Sequence, residues 1–153
     1  MMKPIALWKQ ELSGGVHAAR LASLYCCAED ATPAQAARYQ AVLDGLETTF
    51  GSHEQAGLYS APGRTEIGGN HTDHQRGRVL AGSVNIDMIA AAAPNSLGQL
   101  RVQSEGYPLC VIDLADLAAR KEEENSSAAI LRGECAAFAQ RGAKLSGLDV
   151  YIS

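Results

Sequence analysis

The chain has 153 residues, of which 46% are hydrophobic and 20% are charged, and its formal net charge is −4. This length fits one domain, and the composition is that of a folded globular protein rather than a disordered one. The sequence has no dense basic run interleaved with aromatic residues, so nucleic-acid binding is not expected.

The N-terminal apolar run is too short for a signal peptide or a membrane span. Lys9, Gln10 and Glu11 interrupt it, and no later segment approaches the roughly 20 apolar residues that cross a bilayer. The sequence therefore predicts a cytoplasmic protein without membrane contact.

The first third of the chain predicts two helices. Residues 15–30 are rich in alanine and carry apolar residues at near-helical spacing. Thr32 and Pro33 supply an N-cap and a first-turn proline for the second helix, and Gly51 stands where a left-handed C-terminal cap would lie. One face of this second helix is apolar and comprises Tyr39, Val42, Leu43, Leu46 and Phe50.

The rest of the chain alternates strand patterns with turns. Residues 51–77 are interpreted as loops between short strands at 58–61 and 79–93, because glycine, proline, asparagine and histidine dominate there. Further strands are predicted at 100–105, in the LCVIDL stretch at 109–114 and at 148–152.

Two more helices are predicted between these strands. Asp113 or Asp116 opens a short helix that ends in the charged KEEEN stretch. Ser126 or Ser127 caps an amphipathic helix through Arg141. Its inward residues are expected to be Ile130, Leu131, Cys135 and Phe138. Four helices and about six short strands in this order indicate an α+β fold.

The four cysteines predict neither a zinc site nor a redox motif. Cys26, Cys27, Cys110 and Cys135 contain no CxxC pair, so we expect reduced, mostly buried thiols.

The loop around residues 61–77 holds the most concentrated chemistry. Phosphorylating a hydroxyl needs groups that orient a polyol and a cation that stabilises the transferring group. Arg64, Asn70, His71 and Asp73 offer such a set. The same residues also fit plain turn geometry, and Arg64 could form a surface ion pair with Glu66 or Asp73. A zinc site at the His-Thr-Asp-His run of residues 71–74 is disfavoured, because a distant fourth ligand is not apparent.

The segment APGRTEIGGNHTDHQRGRVLAGSVN resembles the signature of the galactokinases, a branch of the GHMP small-molecule kinases. The residues that match in order and spacing are Gly63, Arg64, Gly69, His71, Thr72 and Asp73. The similarity runs from about Phe50 to the end of the chain, and the helix before Phe50 fits the element that precedes the signature.

This resemblance implies a fold, a reaction and a set of site residues. The fold is a two-layer α/β sandwich like the ribosomal-protein-like N-terminal domain of GHMP kinases, with residues 1–153 as a single partial domain and the signature at 62–77. The reaction is ATP-dependent phosphorylation of galactose, or a close relative, at the C1 hydroxyl, with magnesium. Arg64 would be the catalytic cation, and His71 and Asp73 would bind sugar hydroxyls.

Three signature positions differ in this chain. Asn70 stands where the family has glutamate, so Asn70 is expected to contact the substrate but the sugar that it selects is left open. Glu66 replaces an asparagine and His74 a tyrosine, which alters the hydrogen bonds within the loop.

The family's phosphate-binding loop, Gly-Leu-Ser-Ser-Ser-Ala, does not occur in these residues. The resemblance therefore implies a galactokinase cut short before its donor site, able to hold the sugar and inactive alone. A non-catalytic sugar-binding or regulatory module, and a structural unit completed by a partner chain, are the alternatives. We also expect exposed apolar faces and an open edge at 148–152, both of which favour self-association.

Overall fold

Four helices and six strands make up the part of the chain that the computed structural model describes, residues 2–69 and 77–153. The helices are α1 (Ile5–Ser13), α2 (Ala18–Tyr25), α3 (Thr32–Phe50) and α4 (Ser127–Gln140). The strands are β1 (Lys3–Pro4), β2 (Gln55–Gly68), β3 (Leu80–Pro94), β4 (Gln99–Ser104), β5 (Cys110–Asp113) and β6 (Leu148–Ile152). The predicted α+β class is confirmed.

Helix α3 is the central helix of the core, and its predicted position is confirmed, whereas both predicted caps are wrong. Thr32 lies inside the helix with its hydroxyl donating to the Glu29 carbonyl at 2.7 Å, and a ψ of −173° takes Gly51 out of the left-handed helical region. Pro33 lies in its first turn, and Gly51 ends it at φ 88° with its N–H bonded to the Glu47 carbonyl. The predicted apolar face is buried except for Phe50, which packs at the edge of the core. Gly45 lets α3 approach the sheet closely, because a Cβ there would overlap the Tyr151 ring.

The six strands form one sheet in the order β1-β2-β3-β6-β4-β5. Strand β6 pairs antiparallel with β3 and parallel with β4, so both of its edges are occupied. The predicted open edge at 148–152 is therefore wrong. Strands β3 and β4 are consecutive in the chain and are connected by residues 95–98, but they are not neighbours in the sheet. Strand β6, which follows α4, lies between them.

A buried carboxylate fixes β6 in this gap. The Asp149 side chain is 0% exposed and accepts hydrogen bonds from Arg101 Nε and Nη2, each at 2.6 Å. Asn95 Nδ2 donates at 2.6 Å, and His53 Nε2 lies 2.9 Å from the second oxygen. These partners come from β4, the β3–β4 turn and the segment after α3, so one side chain joins four parts of the chain.

The two faces of the sheet are covered unequally. Helices α1 to α3 bury one face of β3 through Ile89, Ala91 and Ala93. Helix α4 packs on the opposite face at β5, where Ile112 is fully buried. Neither set of helices covers the part of β3 that precedes its pairing with β6. Ile86 and Met88 lie there and are 77% and 58% exposed.

Helix α4 begins as predicted, but its buried face differs. The Ser126 hydroxyl accepts a hydrogen bond from the Ala129 N–H at the N-cap. Ile130 and Phe138 are exposed, 68% and 55%, and the residue that is buried is Arg132. The expected inward positions are wrong for Ile130 and Phe138, because α4 packs mainly on β5 and on the turn at Lys121–Glu123. Leu131 and Cys135 are half-buried.

Arg132 can be buried because each nitrogen of its guanidinium donates a hydrogen bond. It donates to both carboxylate oxygens of Glu123 at 2.7 Å and to the Asp116 carbonyl. The short helix predicted from Asp113 or Asp116 is reduced to a single 3₁₀ turn at Lys121–Glu123. Asp113 and Asp116 instead accept backbone N–H groups two residues further on, which stabilises turns in place of a helix.

The four cysteines are free, but they are less buried than expected. Cys26 is exposed, and the other three are half-buried. Burial raises the pKa of Cys110 and Cys135 above the usual thiol value, so these two thiols are expected to react slowly.

The Asp149→Asn substitution should lower the free energy of unfolding by about 1.5–3 kcal/mol, because a neutral amide replaces a fully buried carboxylate and the half-buried Arg101 loses its counter-charge. Urea denaturation measures this loss. Asp30→Asn is the matched control, since Asp30 is exposed and makes no ion pair in the described parts of the chain, and it should change stability by less than about 0.5 kcal/mol. Equal losses in both variants would contradict the anchoring role.

The same carboxylate predicts a pH dependence of stability. Burial alone would raise the pKa of Asp149, but the hydrogen bonds from Arg101, His53 and Asn95 outweigh it and hold the pKa below the ordinary value of 3.8. The unfolded chain therefore takes up this proton at a higher pH than the folded chain. The stabilisation is complete above about pH 5 and is lost as pH falls through the lowered pKa. Thermal melts between neutral and acid pH should show a flatter profile for Asp149→Asn than for Asp30→Asn.

Self-association stays a prediction. The exposed Ile86 and Met88 would favour it, and sedimentation velocity at several concentrations would detect it. Met88→Lys should shift the distribution toward monomer. A single monomeric species at all concentrations in the unmodified protein would contradict the expectation.

Candidate functional site

The β2–β3 hairpin positions the candidate site. Strand β2 runs from Gln55 to Gly68, so the loops predicted across 51–77 begin later than expected. Thr65 and Ile67 favour extended backbone, and the glycines that indicated loops instead lie at irregularities of the ladder. The register shifts between Pro62 and Arg64 and again between Glu66 and Gly68.

The outer half of this hairpin projects beyond the core. From Pro62 to Gly68 every residue of β2 is exposed. β3 pairs with β6 only from Ala90 to Pro94, so residues 80–88 have β2 as their partner strand. The outer hairpin is therefore a two-stranded ribbon attached to a six-stranded sheet.

Arg64 lies on this ribbon, opposite Ser83. Its side chain is 75% exposed, and Nη2 lies 3.7 Å from Glu66 Oε1. An ion pair this long and exposed contributes less than about 1 kcal/mol and leaves the guanidinium available to a ligand. The surface pairing considered from the sequence is thus present but weak.

The other predicted site residues, Asn70, His71 and Asp73, lie outside the described residues, as does His74. Their roles stay predictions. The described residues next to this segment are Gly69 before it and residues 77–79 after it. Gly69 has φ 84°, and a Cβ there would overlap the Arg78 carbonyl oxygen. The conformation and the close approach both require glycine at this signature position.

A buried carboxylate, Asp87, anchors the root of the ribbon. Asp87 lies opposite Pro62, and its side chain is 2% exposed. Ser60 Oγ donates to Oδ2 at 2.5 Å and Tyr25 Oη donates to the same oxygen at 2.6 Å. Arg38 Nη2 donates to Oδ1 at 2.8 Å. The sequence reasoning missed this residue, and its only signal was an aspartate within an otherwise apolar strand pattern.

The pKa shifts of Asp87 and Tyr25 determine which groups in this cluster donate hydrogen bonds. Burial alone would raise the pKa of Asp87, but the hydrogen bonds from Ser60, Tyr25 and Arg38 outweigh it and lower the pKa. Burial, followed by the bond to Asp87, raises the pKa of Tyr25. Tyr25 therefore keeps its single proton and donates it to Asp87, so Tyr39, whose oxygen lies 2.9 Å away, donates to Tyr25.

The described residues form neither a cluster of metal ligands nor a membrane-spanning helix. Across 2–69 and 77–153, no three histidine, cysteine, aspartate or glutamate side chains cluster as metal ligands. Within the same ranges, no helix is long and apolar enough to cross a membrane.

Asp87→Asn should loosen the ribbon while leaving the sheet intact, because an amide cannot serve as a charged acceptor for three donors. Amide hydrogens at residues 80–88 should exchange about tenfold faster, and those at 90–93 should be unchanged. Hydrogen exchange followed by mass spectrometry resolves the two segments, and Asp30→Asn is the control. Equal acceleration in both segments would indicate general destabilisation and contradict the anchoring role.

Comparison with known proteins finds a family match over the residues that form the hairpin. Residues 46–94 match the family model described as the galactokinase galactose-binding signature. The chain is 31% identical to the galactokinase of Streptomyces coelicolor over 102 residues, which are 65% of this chain and 26% of that protein. It is 31% identical to the galactokinase of Bacillus subtilis over 108 residues, 69% of this chain and 28% of that protein.

A solved structure has the same fold over most of the chain. The crystal structure of Lactococcus lactis galactokinase complexed with galactose matches with a TM-score of 0.64 at 20% identity, and the match covers 78% of this chain and 30% of that chain. The chain thus spans 26% and 28% of the length of the two curated relatives. The matched signature begins near the end of α3 and includes β2 and β3. The chain is therefore similar to part of the galactokinases, and residues 46–94 match their galactose-binding signature.

Proposed function

We propose that the chain binds galactose or a close relative at the tip of the β2–β3 hairpin. The observation that carries this proposal is the coincidence of the signature match, 46–94, with a hairpin whose outer half is exposed and polar along one strand. A ribbon that is anchored at its root by Asp87 and exposed from Pro62 to Gly68 can present hydrogen-bonding side chains to one small polyol.

The proposed sugar contacts are Asn70, His71 and Asp73. An aspartate accepts hydrogen bonds on two oxygens and can bind adjacent hydroxyls, and an asparagine both donates and accepts. Asn70 would therefore recognise a hydroxyl without adding a second negative charge to the site. This difference from the family's glutamate is expected to affect which sugar binds best.

Arg64 is proposed as the cation of the phosphoryl transfer. Its guanidinium is exposed and only weakly engaged by Glu66, so it is available to a developing negative charge. In the reaction, the anomeric oxygen forms a bond to the γ-phosphorus of ATP, the bond to the bridging oxygen breaks, ADP leaves and the hydroxyl proton is released. Positioning and charge stabilisation account for most of the catalysis of such a step.

Nucleotide and magnesium enter this proposal only through the resemblance. The described residues offer no cluster of three metal-ligating side chains, so neither group is assigned to residues of this chain. Because the chain spans 26% and 28% of its relatives, sugar binding is proposed for this chain, and phosphorylation for a galactokinase of full family length. A sugar-binding module without catalysis is the alternative outcome of the experiment below.

Isothermal titration with galactose, N-acetylgalactosamine, glucose and ATP with magnesium tests this proposal. We expect saturable galactose binding. Asp73→Ala should weaken it by about tenfold to a hundredfold, because hydrogen bonds to a charged group contribute about 1.5–3 kcal/mol. Arg64→Ala should weaken it less, since its charge acts on the group being transferred.

The matched control is Arg141→Ala, which removes an exposed arginine at the end of α4. It should bind galactose like the unmodified chain. Galactose binding without ATP binding would assign sugar recognition to this chain and leave the donor site elsewhere. Absence of binding to every sugar, in protein that hydrogen exchange shows to be folded, would overturn the proposal.

A further inference from the structure

A cleft of about 350 Å³ lies between α1, α2 and the outer edge of β2. Its apolar side is formed by Leu12, Leu21, Leu24 and Leu58, and its rim includes Lys3 and Arg20. The residues that line this cleft do not include Arg64 or any other described residue of the outer hairpin. It is bordered by a strand edge that the fold leaves largely open.

The open edge follows from the shortness of β1. Strand β1 pairs only with Gln55 and Ala56 of β2. Two further bonds reach this edge from α1: the Ile5 N–H donates to the Glu54 carbonyl at 3.2 Å, and Trp8 Nε1 donates to the Ala56 carbonyl at 2.9 Å. Both acceptors lie on the side of β2 that faces away from β3.

The alternation of backbone groups in an antiparallel strand shows which further residues of β2 face the cleft side. The N–H and C=O of one residue point to the same side, and the side alternates from residue to residue. Because Glu54 and Ala56 point outward, the backbone groups of Leu58 and Ser60 point outward too. Neither residue has a backbone partner on that side among the residues that the structure describes.

The usable part of the edge is short. Pro62 has no N–H to offer, and the ladder is irregular between Pro62 and Arg64. Proline and bulges are devices that block pairing at a strand edge. The edge that remains open covers residues 57–61, which is long enough for a few backbone hydrogen bonds and lies directly beside the leucines of the cleft.

The rim of the cleft is cationic in a chain whose net charge is −4. Lys3 and His17 both contact the Glu11 carboxylate, at 2.6 and 2.8 Å. Arg20 is exposed and makes no ion pair within residues 2–69 and 77–153. A ligand at this site would therefore meet one uncompensated positive charge beside an apolar floor.

We propose that residues 57–61 form a docking edge for an extended, acidic segment of a partner protein. The segment adds a strand to β2, places an apolar side chain among the leucines of the cleft and directs a carboxylate to Arg20. Main-chain hydrogen bonds supply affinity in this mode of recognition, and the side-chain pocket supplies specificity. The inference is independent of the proposed sugar site.

The first probe is a fluorescently labelled synthetic peptide, acetyl-Thr-Glu-Thr-Leu-Thr-Glu-Thr-amide. In an extended chain its leucine and both glutamates project from the same face. We expect saturable binding by fluorescence anisotropy and slower exchange of the Leu58 and Ser60 amide hydrogens when the peptide is present. Arg20→Glu should weaken binding about tenfold, because an attractive contact becomes a repulsive one.

N-methylated peptides distinguish strand addition from simple groove binding. One peptide carries N-methyl groups on the threonines, and the other carries them on the glutamates and the leucine. Only one of these sets can face β2, so one peptide should lose binding and the other should retain it. Arg141→Glu is the matched control variant and should bind the parent peptide normally.

Each remaining outcome would overturn the proposal. Equal binding of both methylated peptides would show that the edge is not used, and equal weakening by Arg20→Glu and Arg141→Glu would show only bulk attraction. No saturation up to about 1 mM peptide would exclude a specific site. Protection of Leu58 and Ser60 without peptide, together with a concentration-dependent dimer, would assign the edge to a second copy of the chain. Galactose titration of Arg20→Glu separates these results from the sugar proposal, since that variant should bind sugar normally.

Discussion

The ion pair between Asp149 and Arg101 fixes the strand that joins the two parts of the sheet. Strands β1 to β3 form one antiparallel ladder, and β4 and β5 form another. Among the described strands, β6 joins them, and each of its five residues is paired on both sides. The buried carboxylate adds four donated side-chain bonds, from Arg101, Asn95 and His53, to this backbone connection. Buried charges of this kind are costly unless every acceptor is satisfied, and here each oxygen has two partners.

Asp87 repeats this arrangement at the boundary between core and site. Both aspartates are buried, both are paired with an arginine, and both join a strand to the helix layer or to a neighbouring strand. They differ in what lies beyond them. Asp149 closes the centre of the sheet, whereas Asp87 marks the point where β2 and β3 leave the core. The part of the hairpin that packs on the helices thus ends near Asp87, and the exposed ribbon with Arg64 begins beyond it.

Local signals in the sequence were sufficient for α3 and for the start of α4, and insufficient for the sheet. Pro33, Gly51 and the periodic apolar face of α3 act over one helix, so the sequence alone predicts that element. The position of β6 depends on pairing with strands far away in the chain, and nothing in Leu148–Ile152 itself indicates two neighbours.

Arg132 shows the same limit, because a lone arginine in an amphipathic pattern indicates a solvent-facing position until its partner Glu123 is placed. For the candidate site, the roles of the motif residues stay predictions, and the glycines and the proline that suggested a loop at Arg64 lie at or beside irregularities of a strand ladder.

The chain order of the strands has a consequence for how the protein folds. Helices α1 to α3 and the β2–β3 hairpin involve contacts within the first part of the chain, and they can form while the rest is still being synthesised. The sheet cannot close until Leu148–Ile152 reaches the gap between β3 and β4. Pairing between segments so distant in sequence slows folding, because the chain must lose loop entropy before the contacts form. Insertion of β6 is therefore expected to be the late, rate-limiting event, and until it occurs β3 and β4 each present an unpaired edge to other chains.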